Sequence, residues 1–101
     1  MATNRHIYGE INNKTNMREV FTAIRKDVSQ AKSRSALSEL YKRAGYLITL
    51  THAPSWKEKF GKQAGELRSL GKEEFGKTAR KINSRAKKIG AEADFDEKWG
   101  E

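Results

Sequence analysis

Three stretches of this chain place apolar side chains at spacings of three and four, and that period restricts the fold to packed helices. Met17, Val20, Phe21, Ile24, Val28 and Ala31 form the first stripe. Leu37, Leu40, Tyr41, Ala44, Leu47 and Ile48 form the second. Trp56, Phe60, Ala64, Leu67, Gly71, Phe75 and Ala79 begin a third, narrower one that continues to Ala93. Residues recurring at i, i+3, i+4 and i+7 share one face of an α-helix. The expected fold is therefore all-α: an antiparallel hairpin of two amphipathic helices, then a long or Gly-broken third helix.

The boundaries follow from capping chemistry. Asn16, with Glu19 three residues on, reads as a capping box opening a helix over 17–31. Ser33 or Ser35 opens the second, over 35–50, and the short link between them favours antiparallel packing. Tyr46 and Leu50 widen its apolar face, so this helix is expected to be the most buried. Gly45 inside it costs about 1 kcal/mol relative to alanine and permits a neighbouring helix to approach closely. Thr51 to Pro54 ends it, because the residue before a proline is pushed out of the helical region. Ser55 with Glu58 reads as a second capping box. Gly61, Gly65, Gly71 and Gly76 weaken the segment that follows. One continuous helix and a pair broken near Gly71 both fit, with Gly90 a further stop. Residues 1–15 have no helical period and read as a short irregular arm, in which His6, Ile7, Tyr8 and Ile11 could form a short strand. The organisation is one small domain over 1–101: arm 1–15, hairpin 16–52, basic helical segment 55–91 and acidic tail 92–101.

At 101 residues a single core is the natural outcome. With 36% hydrophobic and 34% charged residues, that core should be thin and lack a deep pocket; ligand pockets enclose about 300 Å³ or more. The chain has no cysteine, which excludes disulfides, thiolate zinc sites and thiol nucleophiles, and favours a reducing, cytoplasmic setting. Its longest apolar stretch, Ala44 to Leu50, is far short of a membrane span, and the polar N-terminus has no apolar signal region. His6 and His52 are the only histidines. No nucleophile–base order, phosphate loop or His pair at ligand spacing accompanies them. The expectation is a protein that is not an enzyme and uses no metal or cofactor.

Charge is where function becomes legible. Between Gly76 and Ala91 stand Lys77, Arg80, Lys81, Arg85, Lys87 and Lys88, with no acid. Glu92, Asp94, Asp96, Glu97 and Glu101 follow, against Lys98 alone. The formal net charge is +8. A basic amphipathic helix neutralises phosphates and releases counterions, which gives affinity for DNA or RNA without sequence selectivity. Asn83 and Ser84 offer further hydrogen bonds to phosphates or base edges. Lys57, Lys59 and Lys62 form a second candidate contact region, and Lys32, Arg34, Lys42 and Arg43 a third basic group around the hairpin. A helix-turn-helix reading, with the third segment as reader, fits only weakly.

The expected function is a nucleic-acid-binding accessory or regulatory protein. The alternative is a protein-interaction module that binds an acidic partner or its own copy as a homodimer, in the manner of a small phage or mobile-element factor acting on a host protein. The echo of Glu58-Lys59-Phe60-Gly61-Lys62-Gln63-Ala64 in Glu73-Glu74-Phe75-Gly76-Lys77-Thr78-Ala79 would then supply two equivalent docking points. The acidic tail reads as solvated sequence, as a competitor for the basic helix, or as an acidic-aromatic docking segment. Phe95 and Trp99, four apart, could also extend the third helix and cover core.

Overall fold

The computed structural model describes residues 11–99. It contains α1 (Lys14–Gln30), α2 (Arg34–Thr51), α3 (Pro54–Phe60), a 3₁₀ turn (Gly61–Gln63) and α4 (Ala64–Lys88). No strand occurs among the described residues. Most of the expected arm, and with it the possible strand at His6 to Tyr8, lies outside them; Ile11 is buried.

The caps explain where the helices begin. Asn13, not Asn16, caps α1: its side chain accepts from the Asn16 N–H at 2.7 Å. Asn16 reciprocates by accepting from the Asn12 N–H, also at 2.7 Å. Two side-chain oxygens thereby satisfy two orphaned donors, one turn earlier than the Asn16–Glu19 reading places them. Ser33 caps α2 by accepting from the Ala36 N–H. The expected Ser55 cap is not used. Pro54 occupies the first turn of α3, where its fixed φ and missing N–H cost nothing.

Side-chain bonds fix the directions. Lys14 reaches Glu66, Arg25 reaches Glu74, and Arg85 donates to the Ala31 carbonyl. So α4 runs parallel to α1. Arg68 donates to the Thr51 carbonyl and Arg34 to the Glu92 carbonyl, so α4 runs antiparallel to α2. The result is an up-down-up three-helix bundle in which α4 packs along both members of the hairpin more extensively than they pack on each other. The central, most buried helix is therefore α4 rather than α2.

Small residues make that position possible. A side chain at Gly71 would touch Ile48 of α2 at 3.4 Å and Met17 of α1 at 3.6 Å. Gly71 is thus the point where both neighbours close on α4, and the helix passes through it unbroken. The interruption falls at Gly61, whose φ of 55° is ordinarily open only to glycine. There a 3₁₀ turn joins α3 directly to α4, so the third helical segment runs from Pro54 to Lys88 with one irregular step. Trp56 is buried at this corner, donating from Nε1 to the Ala64 carbonyl.

Gly90 ends α4. Its φ is 73°, the Gly90 N–H donates to the Lys87 carbonyl, and the Ala91 N–H donates to the Ala86 carbonyl. This pair of bonds is the Schellman motif. Replacing Gly90 with alanine is expected to cost about 1–2 kcal/mol, because a Cβ is strained in the left-handed region. Urea unfolding measures it; a cost near zero would mean that this turn does not depend on glycine.

Candidate nucleic-acid interface

Successive residues of a helix step by about 100° around its axis, and the core claims one side of α4. Phe75, Ala79, Ile82 and Ala86 face inward and are buried. The opposite side therefore carries Lys77, Arg80, Lys81, Ser84, Lys87 and Lys88, all exposed. Helical geometry alone makes the basic run a continuous outward arc. Its members differ in what they already touch. Lys77 pairs with Glu74 at 3.2 Å and lies 3.7 Å from Glu73. Arg80 donates to Glu97 Oε1 at 2.6 Å. Arg85, on the edge of the arc and half-buried, donates from Nε to the Ala31 carbonyl at 2.9 Å. Lys81, Lys87 and Lys88 form no ion pair among the described residues.

The Arg85–Ala31 bond brings the α1–α2 link to the same end of the bundle. Exposed Lys32 and Arg34 therefore join the arc's C-terminal end. The sequence places them in a separate basic group, and only the parallel course of α1 and α4 unites the two. Lys57, Lys59 and Lys62 are exposed too but lie beyond the other end of α4. The 25 residues of that helix span about 37 Å, so these three form a distant site. Lys59 donates to the Ile11 carbonyl at 3.3 Å. The helix expected to read a groove begins as α3, only seven residues long and anchored by buried Trp56.

The tail beyond Gly90 does not extend the helix. It runs back along α4, over the seam with α2, and its aromatic residues cover the core in an irregular conformation. Asn83 spends its whole amide on it: Nδ2 donates to the Phe95 carbonyl at 2.9 Å, and the Phe95 N–H donates to Oδ1 at 2.8 Å. Asn83 is therefore engaged with the chain itself, not free for phosphates or bases. Tyr41 Oη donates to the Asp96 carbonyl, and its ring lies 4.6 Å from that of Phe95 and 5.4 Å from those of Phe75 and Trp99. Burial and the Asp96 charge both push the Tyr41 hydroxyl above its usual range.

Trp99 donates to Thr49 Oγ1 at 3.0 Å, and its indole lies flat over Gly45, where any Cβ would overlap it. The close approach that Gly45 permits is thus made by the tail, not by a helix. Beside Trp99 an open cleft of about 860 Å³ forms between α2 and α4, lined by Ile48, Thr49, His52, Lys72 and Arg80. It is larger than the composition suggests, because the tail raises one of its walls.

The buried ion pair beneath the arc was not legible in the sequence. Glu74 is 3% exposed. It accepts from Arg25 at 2.9 Å and from Lys77 at 3.2 Å, while Arg25 also donates to Thr78 and Thr22. Burial alone would raise the Glu74 carboxyl's pKa, but the bonds and charges of Arg25 and Lys77 outweigh it and hold the group below its ordinary value. This network ties α1 to α4 and orients Lys77.

Among the described residues, no group of His, Asp or Glu could hold a metal ion, and no helix is long and apolar enough to cross a membrane. No protein-family model, curated protein or solved structure matches the chain.

Proposed function

We propose that this protein is a non-enzymatic nucleic-acid-binding factor, accessory or regulatory in role, that docks on phosphates through the outward face of α4. One observation carries the reading: Lys81, Lys87 and Lys88 stand exposed on one helical arc, without an ion pair among the described residues, and the α1–α2 link with Lys32, followed by Arg34 at the start of α2, adjoins its end. A rigid helix presents such charges at fixed spacing, and neutralised phosphates release counterions. The three lysines are point charges without the planar fork that fits a base edge. Binding is therefore expected to follow charge and backbone shape rather than sequence.

The test is a mobility-shift series with single- and double-stranded DNA and RNA at low and moderate salt. The triple variant Lys81→Gln, Lys87→Gln, Lys88→Gln should lose retention on all sequences alike. Its slope of log affinity against log salt should be shallower by about 0.9 for each phosphate of a duplex that is no longer neutralised. Arg85 is left intact in this variant because its bond to Ala31 holds the loop. Retention of no polyanion by the unmodified chain at low salt overturns the reading and directs attention to an acidic protein partner.

A further inference from the structure

The tail holds Arg80 of the arc and Arg34 beside its C-terminal end. Glu97 occupies Arg80, and the Glu92 carbonyl occupies Arg34. Asp94 and Asp96 lie along the same strip. A polyanion approaching Arg80 must therefore displace Glu97, and one approaching Arg34 must displace the Glu92 backbone. The tail is held by a seat of specific shape: the two-point Asn83 clamp on Phe95, the Tyr41 bond to Asp96, and the Trp99 indole over Gly45 with Thr49 as acceptor. Yet it carries no helix, its aromatic rings are only partly buried, and the Gly90 turn separates it from α4. A segment seated by few, mostly peripheral interactions opens at low free-energy cost relative to the core.

We infer that residues 92–99 are a self-inhibitory latch: the tail competes with a polyanion for the basic face of α4, and docking of nucleic acid unseats Trp99. The inference rests on the nucleic-acid reading above and adds its regulation. The apparent dissociation constant scales inversely with the fraction of open molecules. A tail closed about nine-tenths of the time thus holds the affinity about tenfold below that of the open face. Coupling is reciprocal, so nucleic acid must loosen the tail by the factor with which the tail weakens nucleic acid.

Two variants of the full chain open the latch without changing net charge. Trp99→Ala removes the anchor. Gly45→Ala fills the space beneath the indole while giving α2 a better helix former. Both should bind a DNA or RNA oligonucleotide about three- to tenfold more tightly than the parent, with helicity unchanged by circular dichroism. Glu97→Gln should tighten binding more than Asp94→Asn, which removes an equal charge from a side chain without an ion pair among the described residues. Hydrogen exchange at the Phe95 amide, protected by Asn83 in the parent, should accelerate in both opening variants and on adding oligonucleotide to the parent. A Phe95 amide that stays protected in both variants overturns the latch, as does exchange that accelerates while affinity is unchanged or weaker. Those results leave the nucleic-acid reading intact. A parent chain and opened variants that all fail to bind any oligonucleotide sink both.

Discussion

Glu74→Ala is expected to destabilise the fold by about 3–5 kcal/mol, a large share of the roughly 5–15 kcal/mol that holds a small domain together. The glutamate side chain is 4% exposed and that of Arg25 20%, so removing the acid leaves a guanidinium in the α1–α4 interface with its charge uncompensated. The remaining bonds to Thr22, Thr78 and the backbone carbonyl of residue 74 are neutral and do not replace it. The loss reflects a stranded charge more than the worth of the pair. Replacing both members, Arg25→Met with Glu74→Leu, should therefore recover most of it.

The same pair sets an acid limit. The folded-state pKa of Glu74 lies below the ordinary glutamate value of 4.5. Its contribution is fully present above that value and is lost as pH falls through the folded pKa, because below it both states are protonated. Urea unfolding at pH 7 and over the acid range should show the parent losing stability in that window and Glu74→Ala losing less. A cost below about 1 kcal/mol at pH 7, with an unchanged acid profile, would place this carboxylate in solvent, where ion pairs contribute little.

How far these features can be read from residues alone depends on their range. The stripes from Met17 to Val28 and from Leu37 to Ile48 are local, and nearly all their members are buried as the period requires. The basic arc is legible for the same reason: once residues 77–88 are helical, their angular positions are settled. Glu74 is different. It stands at the flank of a stripe where a charged residue ordinarily meets water, and only Arg25, 49 positions away, turns it inward. Asn83 and Gly45 likewise take their roles from tail residues far along the chain, Phe95 and Trp99, pairings that no local pattern encodes. The glycines of the third segment show the limit most plainly. Gly71 is helical and closely packed, whereas Gly61 and Gly90 adopt positive φ. Composition does not distinguish them; the need to turn at each end of α4 does.

Phe75→Ala is the second change expected to cost about 3–5 kcal/mol, and its counterpart in the internal echo shows why. Phe60 and Phe75 occupy matching places, each followed by glycine and lysine. Gly76 continues its helix, so Phe75 sits mid-helix, 1% exposed, beneath Tyr41 and within 6.1 Å of the Trp99 ring. Gly61 interrupts the helix with a positive φ, so Phe60 closes a seven-residue stretch, half-buried and packed on Trp56 at 4.3 Å. Truncating Phe75 opens a cavity that α1, α2 and α4 cannot close together, and removes the floor on which the tail aromatics rest. Truncating Phe60 exposes one face of Trp56 to water and should cost about 1–2 kcal/mol, on the scale of a partly buried side chain. Urea midpoints of the two variants, compared at equal unfolding slope, give the difference directly. The Phe75 variant should also lose protection at the Phe95 amide while the Phe60 variant keeps it. Equal costs and equal exchange would mean that the two phenylalanines are interchangeable docking points on one face. The asymmetry expected here instead makes one a corner and the other the keystone under both the core and the tail.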